Sequence, residues 1–110
     1  MKTAIVGSRS IVSLDIAKYI PEGTTEIISG GAHGADTLAR EYAQRNNIKL
    51  TEFLPEYNLY RRGAPLKRNI RIIENADIVV ALWDGHSRGT KHVIDNCVSR
   101  NIEVKVYNLE

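Results

Sequence analysis

Short apolar runs alternate with amphipathic stretches along all 110 residues of this chain, and that alternation leaves few folds open to it. Thr3 to Val6 and Thr25 to Ile28 are short, rich in β-branched residues and bounded by glycine, as buried strands are. Ile78 to Trp83 is apolar throughout and closed by Asp84-Gly85. Ile48 to Leu54 and Ile102 to Tyr107 read as two further strands, with Lys49, Glu52, Glu103 and Lys105 mixed in. Between the strands, Val12, Ile16 and Ile20 predict a helix after Ser10 that Pro21 and Gly23 stop. Leu38, Ala39, Tyr42 and Ala43 form a second stripe ending at Asn46-Asn47; Leu66, Ile70 and Ile73 form a third. Val93, Ile94, Cys97 and Val98 form the last, which places Cys97 in the core.

Strands alternating with helices in this way pair in parallel through right-handed crossovers. The two strands that carry charges belong at the sheet margins, where one side is wet and charge discourages edge-to-edge association. Placing the third and fifth strands outermost gives the order 3-2-1-4-5. The expectation is an α/β, Rossmann-like three-layer domain with a five-stranded parallel sheet, formed by residues 1–110 as one unit. The order reverses direction between strands one and four, and ligands in such sheets bind beyond the carboxyl ends of the strands flanking that reversal. A site is therefore expected just after Val6 and just after Trp83.

Composition removes several classes. An apolar fraction of 43% with 25% charged residues is that of a folded globular chain. A net charge of +2 is too mild to imply a polyanion partner by itself, and one cysteine cannot form an internal disulfide. No apolar run approaches the roughly 20 residues that span a bilayer. The opening Met1-Lys2-Thr3-Ala4 lacks the long apolar stretch of a leader and reads as a first strand. These features lead us to expect a soluble, cytoplasmic protein with no membrane partner.

Chemistry concentrates at the strand ends. After strand one, Gly7 permits a tight turn, while Ser8 and Arg9 offer a hydroxyl and a guanidinium to an oxyanion; the plainer alternative is a turn with Ser10 as helix cap. After strand two comes Ser29-Gly30-Gly31-Ala32-His33-Gly34-Ala35-Asp36. Three glycines before a helix start suit a phosphate held on backbone amides, or simply a turn whose Asp36 complements the helix dipole. After strand four, Asp84-Gly85-His86-Ser87-Arg88-Gly89-Thr90 opens another helix. Gly89-Thr90 can supply amides and a hydroxyl to an anion, with charge from Arg88; otherwise Thr90 merely caps. The long connection from Glu56 to Asn69 gathers Tyr57, Tyr60, Arg61, Arg62, Lys67 and Arg68. Tyrosines beside arginines can stack a nucleobase, although part of this run is equally a solvated face.

Other chemistries lack their signatures. No Gly-Lys-Ser/Thr follows a glycine loop, and no G-x-G-x-x-G follows strand one. Strand two ends in Ser29 where an NAD-binding domain places its ribose-binding acid. His33 has no second ligand at metal spacing, so neither a metal site nor a bound cofactor is expected.

Gly7-Ser8-Arg9, the Ser29–Asp36 stretch, Ala64-Pro65-Leu66-Lys67-Arg68-Asn69, Asp84-Gly85 and Ser87-Arg88-Gly89-Thr90 together resemble the SLOG superfamily, most closely its small stand-alone YspA/YpsA-related branch. The superfamily includes the LOG phosphoribohydrolases and the DprA-type DNA-processing proteins. The resemblance implies a domain that binds a nucleotide or nucleotide derivative, such as ADP-ribose or a nucleoside monophosphate, as a ligand sensor. It also implies self-association as a dimer or tetramer. The ligand set it implies is Gly7, Ser8, Arg9, Ser29, Gly30, Gly31, Ala32, Gly34, Asp36, Arg68, Asn69, Asp84, Gly85, Ser87, Arg88, Gly89 and Thr90. Phosphate is expected on the amides of Gly30 to Gly34 and Gly89-Thr90. Two other functions stay open: N-glycosidic hydrolysis of nucleoside monophosphates, and single-stranded DNA binding of the DprA type. For hydrolysis, the Glu of the LOG Pro-Gly-Gly-x-Gly-Thr-x-x-Glu element is replaced here by Val93, which leaves Asp84, Asp36 and Glu56 as candidate acids.

Overall fold

The computed structural model describes residues 1–109. Five strands form one all-parallel sheet: β1 (Lys2–Gly7), β2 (Glu26–Ser29), β3 (Lys49–Glu52), β4 (Ile78–Trp83) and β5 (Val104–Asn108), in the order β3-β2-β1-β4-β5. The expected α/β class and strand order are both found. β1 and β4 are almost wholly buried, whereas β3 and β5 are partly exposed along their length, as margin strands with mixed polarity should be.

The helices are α1 (Ala35–Arg45), the single turn α2 (Tyr57–Tyr60), α3 (Ala64–Glu74) and α4 (Arg88–Ser99). Alternation along β1 and β4 splits the core in two. Ala4, Val6, Val79 and Ala81 face α3 and α4 through Ile72, Ile73, Val93 and Cys97, and Cys97 is fully buried. Ile5, Val80 and Leu82 face the other way, toward Ala35, Ala39 and Ala43 of α1. Three alanines four residues apart give α1 a flat face, so it lies close upon the sheet. Asn46 ends α1, and Asn47 takes the left-handed conformation (φ 52°) that asparagine tolerates after a helix. No helix among the described residues is long and apolar enough to cross a membrane.

One expected element is corrected. The helix anticipated from Val12, Ile16 and Ile20 does not form: the β1–β2 crossover holds only a 3-10 turn at Ile16–Tyr19. Ile11 and Ile16 are buried while Val12 is 71% exposed, so the apolar spacing reflects two separate anchors of a loop. Short polar side chains compete with helical hydrogen bonding here. The Ile11 amide donates to the Ser8 carbonyl and the Ser10 hydroxyl to Asp84 Oδ2, both outside any helical ladder.

Candidate functional site

The carboxyl ends of β1 and β4 are level, with Val6 opposite Ala81 and Gly7 opposite Leu82. The loops that leave them must part in opposite directions, and the gap between them is a cavity of about 390 Å³. That is the size of a small-molecule site. Four stretches of chain wall it. Gly7, Arg9 and Ser10 come from the loop after β1; Gly30, Ala32 and Asp36 come from the glycine loop and the start of α1. Pro65, Leu66, Arg68 and Asn69 come from the first turns of α3; Asp84, Ser87, Gly89 and Thr90 come from the loop after β4 and the start of α4.

Two further expected residues sit immediately behind this wall. Ser8 is buried, and its hydroxyl accepts the Asp84 amide at 3.1 Å, tying the two diverging loops together. Ser29 is buried, and its Oγ accepts the Gly31 amide at 3.4 Å. Gly31, Gly34, Gly85 and Arg88 do not line the cavity. Gly34 serves the architecture instead. At φ 74° it passes so close to the Arg9 and Ser8 backbone that a Cβ would lie 2.5 Å from the Arg9 carbonyl oxygen.

The Gly30–Gly34 amides are less available to a phosphate than the sequence suggests. The Gly31 amide is engaged by Ser29, and Ala32 donates to Asp36 Oδ2 at 3.1 Å. The loop is thus held from within by side chains. At the opposite wall Ser87 caps α4 by accepting the Thr90 amide at 3.4 Å. The Gly89 amide lies in the first turn, where no intrahelical acceptor reaches it.

Arg68 joins the walls. Its Nη1 donates to the Gly30 carbonyl at 2.6 Å and its Nε to Asn69 Oδ1 at 2.9 Å. Nη2 and the Asn69 amide nitrogen make no hydrogen bond to the described residues, although Asn69 is only 7% exposed and lines the cavity. Both are donors awaiting an acceptor.

The three candidate acids separate cleanly. Asp84 accepts from the amides of His86 and Ser87, both at 2.8 Å, and from the Ser10 hydroxyl. These donors hold its carboxyl well below the usual carboxylate range, so it stays ionised and works as a clasp between loops. Glu56 pairs with Arg71 at 2.7 Å outside the cavity. Asp36 is 7% exposed and faces the cavity, and burial pushes its carboxyl up despite the Ala32 amide and the Arg68 charge. It alone combines a position in the cavity with a raised affinity for a proton.

A stability prediction follows from Asp36. Its proton is held more tightly in the folded chain than in the unfolded one, so ionisation at neutral pH works against folding, and below the ordinary value of 3.8 this effect vanishes. Asp36→Asn keeps an acceptor for the Ala32 amide and removes the buried charge. Its melting temperature at pH 7 should equal or exceed the parent's by a few degrees, roughly. That advantage should shrink as the pH falls toward 4, as thermal melts across this range would measure.

Among the described residues no cluster of three His, Cys, Asp or Glu side chains is placed to hold a metal ion. Sequence reading had not assigned Ser10, Pro65 or Leu66 to the site. The signal for Leu66 was ambiguous, because its place on the apolar stripe of α3 reads equally as core, whereas it is 47% exposed at the cavity rim.

Comparison with known proteins gives one family. Residues 14–60 match the model described as YAcAr: YspA, cpYpsA-related SLOG family. The matched span covers the later part of the β1–β2 crossover, β2, the glycine loop, α1, β3 and α2. No curated protein and no solved structure matches the chain.

Proposed function

We propose, from the premise that this chain is a SLOG-superfamily protein of the YspA/YpsA-related kind, that its cavity binds a nucleotide or nucleotide derivative of AMP or ADP-ribose type. A single observation carries the reading. Six polar side chains are buried among the described residues, and five of them (Ser8, Ser29, Asp36, Asn69 and Thr90) gather at this one end of the sheet. Buried polar groups cost stability unless satisfied, so such a concentration around an open cavity is the mark of a site rather than of a core.

The donors sort by wall. Arg68 Nη2 and the Asn69 amide face an anionic group from α3, the Gly89 amide and Thr90 face it from α4, and Arg9 adds charge. Asp36 is a buried carboxylate lining the cavity and suits a ligand hydroxyl such as that of a ribose. A ligand sensor needs no more than this. Self-association as a dimer or tetramer and a cytoplasmic setting belong to the same proposal and rest on the resemblance alone.

The test is thermal melting at modest salt with AMP, ADP-ribose and NAD. A ligand bound only by the folded chain contributes about 2.7 kcal/mol at a hundredfold excess over Kd, which shifts the melting temperature on the order of 10 °C. No shift with any of the three would overturn the reading.

The place of Asp36 in the cavity, with its carboxyl pushed up by burial, favours one second reading, N-glycosidic hydrolysis of a nucleoside monophosphate, in which water adds at the ribose C1′ as the bond to the base breaks and Asp36 exchanges a proton with the departing base or the incoming water. Release of free base by the parent and its loss in Asp36→Asn would support turnover. Binding without release would leave a sensor.

A further inference from the structure

The segment between β3 and α3 is folded but hardly anchored. Neither α2 nor the 3-10 turn at Arg61–Gly63 that follows it contributes a buried residue. Tyr57 is 58% exposed, Leu59 67% and Tyr60 45%, a density of large apolar side chains in water found nowhere else among the described residues. What holds the segment is weak: an exposed ion pair between Glu56 and Arg71, and Lys67 lying 5.6 Å above the Tyr60 ring. Segments with few buried contacts open at low free energy.

Its ends are built to move. Pro55 precedes it, and at its far end Arg61 holds φ 50° with ψ −120°, a conformation that L residues rarely adopt. Gly63 follows with open space around it.

No residue of the segment lines the cavity itself; Arg68 is the side chain the two share. Leu66 lies on the rim and Arg68 spans the wall; on its other side Arg68 shares a shallow crevice with Leu54, Tyr60 and Lys67.

The geometry points to a hinged flap, Tyr57–Gly63, that closes over the cavity mouth and supplies a stacking subsite for a planar base on Tyr57 and Tyr60. This rests on the nucleotide-binding reading and adds to it a part of the ligand that the cavity walls do not address. In the closed state the tyrosine rings cover the base, and Arg61 and Arg62 bring positive charge to the phosphate side. The ligand drives closure because only the closed state offers these contacts.

The experiment compares AMP with ribose 5-phosphate, which lacks the base, in binding calorimetry and in limited trypsin digestion. The exposed Arg61-Arg62 bond should be the first site cut in the free protein. AMP should slow that cut, and ribose 5-phosphate should slow it far less. Tyr57→Leu/Tyr60→Leu, altered only at exposed positions, should weaken AMP on the order of tenfold more than it weakens ribose 5-phosphate. Binding of AMP with the cut unslowed, or equal weakening of both ligands in the variant, would overturn the flap while leaving the cavity reading intact. Failure of the parent to bind AMP, ribose 5-phosphate, ADP-ribose and NAD alike would overturn both.

Discussion

Gly34→Ala should lower the melting temperature on the order of 15 °C. The new methyl would meet Arg9 O at 2.5 Å and Ser8 O at 2.6 Å, and backbone atoms cannot swing aside as a side-chain tip can. The residue would also have to keep φ at 74° and ψ at −123°. A left-handed conformation outside glycine costs about 1–3 kcal/mol, and overpacking a similar amount again. A combined loss of about 3 kcal/mol in a domain of this size gives the stated shift. Gly63→Ala is the control, because it sits at negative φ with nothing within 4 Å of the added atom. Melts of the two variants beside the parent should differ sharply; equal melting temperatures would mean that the loops after β1 and β2 are not pressed together as described.

Arg68→Met should both destabilise the chain and remove the nucleotide binding proposed for the cavity. Methionine fills much of the same space but strips the donors from the Gly30 carbonyl and the Asn69 side chain. Losing charge-assisted hydrogen bonds and leaving acceptors unpaired costs about 2–4 kcal/mol. The loss carries a pH signature through Asp36. The Arg68 charge is one of the influences that lower the raised Asp36 carboxyl, so its removal raises that carboxyl further. The extra penalty is present when Asp36 is ionised and fades as the pH falls toward 3.8, where the unfolded chain binds the proton as well. The gap in melting temperature between parent and Arg68→Met should therefore be wider at pH 7 than near pH 4. A gap independent of pH would separate Arg68 from Asp36. Arg68→Lys keeps the charge and loses the fork, so it should restore the pH dependence of the parent while only partly restoring binding.

How much of this was legible in the residues depends on the kind of signal. The strand order followed from polarity: Lys49 and Glu52 in one strand, and Glu103 and Lys105 about another, exclude a central place, and the remaining strands then have one sensible order. The position of the cavity followed from that order. The crossover after β1 was misread because Val12, Ile16 and Ile20 repeat like a helix. Periodicity cannot show that Ser10 is drawn to Asp84 on a loop 74 residues away. The glycine loop shows a related limit. Its three glycines advertise free amides, but Ser29 and Asp36, visible beside them, take two of those amides once the chain folds. Nor could the sequence rank Asp36, Asp84 and Glu56. Their difference lies in burial and in which donors reach them, and both are made by distant strands.

The parallel register that sets Val6 opposite Ala81 also governs when the protein can begin to work. β1 is made first yet lies at the middle of the sheet, and its partner on one side is synthesised some seventy residues later. During translation the early half has a glycine loop and one helix but no far wall to its crevice. Loop closure over that distance comes late and slowly in such topologies. A growing chain offers no complete crevice, so any ligand of the kind proposed could pull only on the finished fold.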